Sequence, residues 1–257
     1  MFAARQGFFK PATGTAVNQR RTGTASTNTS YTFVATGSAA VSSTYYQFGG
    51  ASLNISAAST NVYYSSYPAD GNWPTSGDFC IEGWVWVPSS RSRTETGDWG
   101  GLNVTNGLEV RFGNSYNGGS FNYIQILARG QADLDRAPYT WPNETWTHWA
   151  VQRKSNVISI WANGNKLARE DGPTSPGTAA NRTFSTTSPG QVVWGSYASG
   201  GGTDEDLKCW IDECCVSNSW RYDDAYSVYT VPTAAFTVDQ YTVMLTHWDT
   251  NLATASS

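Results

Sequence analysis

From Trp146 to Gly164 the chain alternates apolar and polar positions with the period of a β-strand. Trp146, His148, Ala150 and Gln152 fall on one side, and Thr147, Trp149, Val151 and Arg153 on the other. Lys154-Ser155-Asn156 forms a short polar turn, after which Val157, Ser159 and Trp161 alternate with Ile158, Ile160 and Ala162. Asn163-Gly164 closes this second strand, because both residues tolerate positive φ. Strand patterns also cover residues 31–36, 45–48, 52–55, 61–64, 78–88, 107–112, 121–128, 166–170, 191–195, 208–217 and 241–249, separated by turn-rich links. The one helical hint is a turn or two at 223–229. Such a density of short strands predicts an all-β, two-sheet antiparallel sandwich.

Composition narrows the class. Charged residues make up 14% of the 257, against roughly 25% in an average protein, while the chain holds 12 Trp, 14 Tyr and 25 Gly. One sandwich of this length is ordinary. The net charge of −4 argues against a general nucleic-acid binder. No stretch reaches the ~20 apolar residues of a membrane helix, and the first residues lack the apolar core of a secretion signal. The four cysteines, Cys80, Cys209, Cys214 and Cys215, have no zinc spacing. They read as small buried thiols, with a disulfide as the alternative. A catalytic thiol would have only His148 or His247 to serve it, and both lie in strand patterns.

Four motifs in order resemble the laminin G-like, concanavalin A-type lectin domains. They are Phe48-Gly-Gly-Ala-Ser-Leu53, Gly77-Asp-Phe-Cys-Ile-Glu-Gly-Trp-Val85, the hairpin around Trp146-Thr-His-Trp-Ala-Val-Gln-Arg153, and Trp210-Ile-Asp-Glu-Cys-Cys-Val-Ser217. The resemblance implies a concanavalin A-like jelly-roll sandwich over residues 31–257, but not one function, since the fold hosts lectins, glycan hydrolases and structural modules. Tyr241-Thr-Val-Met-Leu-Thr-His-Trp-Asp249 is similar to the strand that usually begins such a domain. At the end of this chain it is expected to fill the same slot, as in a permuted sandwich, or alternatively to pair with a neighbouring subunit.

Residues 1–30 differ. Arg5, Lys10, Arg20 and Arg21 give a basic bias, and Phe8-Phe9 is the one aromatic pair. This reads as an extended arm that gains order on a partner, with Phe8 and Phe9 as anchors. A lectin-like module without a secretion signal fits a bacteriophage virion. The chain is therefore expected to be a structural protein of capsid or tail, assembled in the host cytoplasm. Its partners would be other virion proteins, sister subunits and cell-surface or environmental glycans. The alternatives are a decoration or adaptor protein without sugar binding, and a glycan-processing enzyme.

An enzyme is not expected. Glycan hydrolysis needs two carboxylates across the scissile bond, and no strand carries them at alternate positions. Asp212 and Glu213 are adjacent and should face opposite sides. Asp133 and Asp135 read as a polar loop, as do Asp204, Glu205 and Asp206. A sugar site would pair a loop aromatic with polar donors. The candidate aromatics are Trp73, Trp99, Tyr116, Tyr139 and Trp141, and the favoured set is Trp99, Asn103, Tyr116, Asn117 and Trp141. The resemblance also implies a structural calcium, for which Asp78 and Asp212 match the family's acidic positions.

Overall fold

The computed structural model describes residues 18–25, 33–56, 61–64, 77–90, 100–104, 108–113, 122–128, 134–171, 192–196, 207–249 and 253–254. Its strands are β1 (Val34–Thr36), β2 (Ala40–Ser42), β3 (Ser52–Asn54), β4 (Asn61–Tyr64), β5 (Phe79–Trp86) and β6 (Gly100–Val104). They continue with β7 (Leu108–Arg111), β8 (Tyr123–Ala128), β9 (Leu134–Pro138), β10 (Trp146–Lys154), β11 (Val157–Ala162) and β12 (Asn165–Lys166). The last are β13 (Glu170–Asp171), β14 (Val192–Trp194), β15 (Trp210–Ser217), β16 (Thr242–Thr246) and β17 (Ala253–Thr254). No helix occurs among the described residues, so the helical hint at 223–229 is not realised.

The strands build two sheets. One has nine strands in the order β13-β9-β8-β7-β6-β14-β4-β1-β17. The other has eight, β12-β11-β10-β5-β15-β3-β2 with β16 also paired to β15. Every pairing is antiparallel except β1 with β17.

The predicted hairpin forms in register, Trp149 opposite Ala162 and Lys154 opposite Val157. Its turn is Ser155-Asn156, at φ of 49° and 68°. Positive φ at both central residues gives the reversed turn whose twist matches the strands. Asn163-Gly164, at 41° and 89°, repeats the device between β11 and β12.

The core lies between the sheets. Phe79, Ile81, Val85, Trp149, Val151, Ile158 and Ile160 of the eight-stranded sheet meet Leu102, Val110, Phe112, Ile124, Ile126 and Trp194 of the other. Of the tryptophans in β5, β10 and β11, Trp149 sits in this core. Trp84, Trp86, Trp146 and Trp161 alternate onto the outer face of the same sheet.

That outer face is itself buried. Asn18–Ala25 (residues 18–25) and the long segment 218–241 lie over it, and smaller clusters form there around Trp161, Tyr222 and Tyr229, and around Cys215, Phe236 and Leu245. Residues 18–25 were read as part of a free arm, but they pack on the sandwich. Arg21 N donates to Arg221 O, and Gln240 N donates to Thr24 O. Gly23 is needed here, since a Cβ would come within 2.8 Å of the Tyr241 ring. Phe8 and Phe9 lie outside the described residues.

All four cysteines are free and buried. Cys214 faces the core, and Cys215 faces the cover. Burial pushes the thiols of Cys80, Cys214 and Cys215 up, Cys215 to about 11, so none of these three is a ready nucleophile. The strand at the chain's end forms as expected, with Cys214 opposite Thr246 and Val216 opposite Met244. The segment at 45–48 does not form a strand; its backbone caps a carboxylate instead, as shown below.

Candidate functional site

Two buried polar clusters occupy the outer faces of the two sheets, and they differ in how completely they are satisfied. On the eight-stranded sheet Glu82 is fully buried. Arg20 reaches it from the amino-terminal strap, with Nη2 2.7 Å from Oε1, and the Tyr222 hydroxyl donates to Oε2 at 2.7 Å. Arg20 and the neighbouring His148 hold the Glu82 carboxyl far below the usual carboxylate range, against the pull of burial. His148 Nδ1 meets the Tyr229 hydroxyl at 2.5 Å, and burial lowers its imidazole pKa. Gln152 uses both ends. Its Nε2 donates to Tyr222 O at 2.6 Å, and its Oε1 accepts from the N–H groups of Arg221 and Tyr222 at 3.0 Å each. Arg221 is paired with Asp239 at 2.6 Å. This cluster fastens the strap and the 218–241 segment to the sheet. Its partners are all internal, which suits a structural role.

The residues singled out as metal ligands do not come together. Asp78 precedes β5 and accepts from Ser155 N at 2.8 Å. Asp212 stands opposite Trp84, six residues further along that strand. Strand rise puts ~20 Å between them. Both Asp212 oxygens accept backbone N–H groups, Oδ2 from Gln47 (2.9 Å) and Phe48 (3.1 Å), Oδ1 from Glu213 (2.8 Å). Burial nonetheless pushes this carboxyl up to about 7. No cluster of three metal-ligating side chains is found among the described residues. The donors present do not fit a calcium shared by Asp78 and Asp212.

Asp212 and Glu213 were expected on opposite faces. A bulge sits between Asp212 and Cys215, and Glu213 takes a φ of 51°. An extra residue in one strand breaks the alternation, and both carboxylates bond to segments on the outer side. Glu213 accepts from Phe236 N at 2.5 Å and meets His247 Nδ1 at 2.6 Å. Gly83 faces the bulge, where a Cβ would sit 3.4 Å from Asp212 O.

Of the sugar-contact set, Trp141 is a core residue. It is wholly buried, with its ring edge-on to Phe112 at 4.8 Å. Its pattern looked like a loop because Pro142 and Asn143 follow it directly. Asn103 lies in β6, opposite Glu109 on one side and Val193 on the other. Trp99, Tyr116 and Asn117 lie outside the described residues, as do Trp73, Asp133 and 204–206.

On the nine-stranded sheet the register aligns Arg111 (β7), Gln125 (β8), Arg136 (β9) and Glu170 (β13) in one row across four strands. Their neighbours in sequence, Val110, Ile124, Ile126 and Ala137, pack in the core, so this row belongs to the outer face. Asp135 was read with Asp133 as a polar loop, but it lies in β9. Asp135 is buried beside Arg169 Nη1 at 3.1 Å.

Within the row Arg111 pairs with Glu109 two residues earlier, at 2.5 Å. Gln125 is 0% exposed, and neither Nε2 nor Oε1 meets a hydrogen-bond partner. Arg136 is 9% exposed. Its Nε and Nη1 meet no hydrogen-bond partner, and its charge is answered by an ion pair to Glu170 Oε2, 3.7 Å from Nε. The guanidinium lies over the Tyr123 ring, 5.3 Å from its centroid. Two adjacent buried polar side chains thus keep open hydrogen-bonding capacity, whereas Gln152, equally buried on the other sheet, keeps none. Stranding such groups costs about 1–3 kcal/mol each, so each calls for a partner. No single-strand motif could have revealed the row, which exists through pairing.

No protein-family model matches the chain, and no curated protein matches it by sequence. Solved structures do share the fold. The enzymatically active domain of tailspike protein 2 from bacteriophage CBA120 superposes with a TM-score of 0.55 at 14% identity, over 89% of this chain and 34% of that one. A protein of Bacteroides ovatus described as carbohydrate-binding superposes with a TM-score of 0.52 at 14% identity, over 85% of this chain and 52% of that one. The chain therefore spans about half the length of the second and a third of the first. At this identity the likeness establishes the fold, a two-sheet antiparallel sandwich. It also corrects one expectation. The chain was not expected to be an enzyme, yet its fold recurs over 34% of a chain described as an enzymatically active domain, so the fold gives no ground for that exclusion. The search for two acids on one strand was too narrow a ground, since pairing brings polar groups of separate strands together, as in the row at Gln125.

Proposed function

We propose that the chain is a glycan-binding module, laminin G-like in type and carried on a bacteriophage particle, which takes sugar on the outer face of the nine-stranded sheet. The observation that carries this reading is Gln125, a buried amide with donor and acceptor both unfilled. Sugar hydroxyls donate and accept at once, which is what such an amide lacks. Arg136 and Tyr123 beside it offer further donors and an aromatic surface. The shared fold of a carbohydrate-binding protein and a phage tailspike supports the reading. Residues 1–17, with Phe8 and Phe9, would dock the module to the particle. The expected result is binding of the full chain to a subset of oligosaccharides on a glycan array, weakened at least tenfold by Gln125→Ala with the fold intact. If no glycan binds, or if Gln125→Ala binds as well as the parent, the reading fails. Cleavage of a bound glycan would extend it to catalysis.

A further inference from the structure

The outer face of the eight-stranded sheet is not covered evenly. The 218–241 segment reaches it at His148, Glu82 and Gln152. One row further along, where Trp86 stands between Trp146 and Trp210, Tyr45 lies over the sheet instead. Tyr45 stacks on Trp86, with ring centroids 3.9 Å apart and planes 19° from parallel, and stands edge-on to Trp210 at 5.0 Å. Both indoles are buried, yet Tyr45 keeps 38% exposure and Tyr46 keeps 48%. With one face of Tyr45 against Trp86, its open surface is the opposite face and the rim. Two adjacent exposed aromatics backed by two buried indoles differ from apolar residues scattered singly over a surface.

The rings are also held in place. Tyr45 O accepts from Ser52 Oγ at 2.5 Å, while Gln47 N and Phe48 N are fixed on Asp212. Phe48 packs edge-on to Trp84 at 5.7 Å. Little ordering is left to be done on binding, which favours even a small ligand. The chemistry beside the rings narrows its class. From residue 22 to residue 69 the chain has no charged residue, and Ser42, Ser43, Thr44 and Gln47 flank the pair. A phosphate backbone would call for cations, and an acidic sugar for an arginine or lysine. This segment supplies neither. A neutral pyranose suits it. The C–H face of such a ring lies against the negative face of an aromatic, and its hydroxyls meet the amide and hydroxyls alongside.

We infer that Tyr45 and Tyr46 form a second carbohydrate site, which stacks a neutral hexose ring on the exposed face of Tyr45. The site goes beyond the reading above, because it stands on the other sheet from Gln125, and either site can fail without the other.

The test is an NMR titration of the full chain with cellotriose, maltotriose and chitotriose, following backbone amides. Those of Tyr45, Tyr46 and Gln47 should shift and saturate with at least one of these sugars, in the parent and in Gln125→Ala alike. Tyr45→Phe keeps the ring and should keep the affinity. Tyr45→Ala should weaken it about fivefold or more. Tyr46→Ala, which leaves the stack on Trp86 intact, should weaken it too. Amides at 45–47 that stay still with every sugar, or binding undiminished in both alanine variants, overturn the inference and leave the reading on the nine-stranded sheet standing. A shift at 45–47 with the Gln125 side-chain amide unmoved supports the inference and overturns that placement. Self-association of the parent that Tyr46→Ala abolishes would make the patch a contact between copies, which also overturns the inference.

Discussion

Arg20 Nη2 lies 2.7 Å from Glu82 Oε1, and this contact joins the amino-terminal strap to the centre of the eight-stranded sheet. Glu82 sits mid-strand in β5, with β10 on one side and β15 on the other. A carboxylate there is tolerable only because Arg20 and Tyr222 cover it. The Arg20 guanidinium in turn lies over Phe236, 4.5 Å from the ring centroid, so the strap and the 218–241 segment are fixed by one side chain.

Breaking the pair from either side should be costly. Glu82→Gln leaves Arg20 buried without its anion, and Arg20→Met leaves the carboxylate. Each should destabilise the chain by about 3–5 kcal/mol in denaturant unfolding. The double variant Arg20→Met/Glu82→Gln should recover part of that loss. Additive single losses would mean the two groups do not depend on one another.

Truncation should separate the strap from what precedes it. Removing residues 1–17 should leave the melting temperature unchanged and, if Phe8 and Phe9 dock the module, reduce incorporation into particles. Removing residues 1–25 should also lower the melting temperature, because Arg20 and the Arg21 contacts to Ser219 and Tyr241 go with them. The reading of residues 1–30 as an arm ordered only on a partner conflicts with these contacts. Equal stability of the two truncations would show that the strap is not structural.

The closing strand should be essential. Trp248 is buried, donates from Nε1 to Cys214 Sγ at 3.3 Å, and packs edge-on to Phe33 at 5.0 Å. It does so at a φ of 59°, a strained value for a bulky residue. Trp248→Ala should cost about 3–5 kcal/mol by cavity formation. A loss below about 1 kcal/mol would place this strand outside the cooperative core.

Asp212 gives a pH signature. Burial raises its carboxyl in the folded chain to about 7, from an ordinary value of 3.8. Between these values the folded state holds a proton that the unfolded state has released, so stability contributed at low pH is lost as pH rises through the window. The parent should therefore lose stability relative to Asp212→Asn between about pH 4 and pH 7. A constant difference across that range would show that the three backbone donors keep Asp212 ionised throughout.

The local parts of this fold were legible in the chain. The alternation of residues 146–162 and the turn residues that follow identify two adjacent strands, because a hairpin is short-range and its turn chemistry is written in sequence. The final strand was legible too, from Val243, Leu245 and His247 alternating with Met244, Thr246 and Trp248. What escaped depends on distant pairings. Asp135 looks like a loop residue because it is charged, and only β8 alongside makes its segment a strand. Alternation also assumes an unbroken pleat, and the bulge at Glu213 defeats it. Trp141 was misplaced because an aromatic beside Pro142 looks exposed, yet the chain folds it into the core. The row at Gln125 draws its members from four strands and has no signature on any of them.

The most direct test of the account follows the side-chain amides of two buried glutamines in an NMR titration. The probe is the oligosaccharide retained best on the array. Gln125 has open hydrogen-bonding capacity on the nine-stranded sheet, and Gln152 is fully bonded on the other. The Gln125 amide pair, assigned by its loss in Gln125→Leu, should shift and saturate while the Gln152 pair stays still. Saturable binding that leaves the Gln125 amide unmoved would contradict the placement of the sugar on this face.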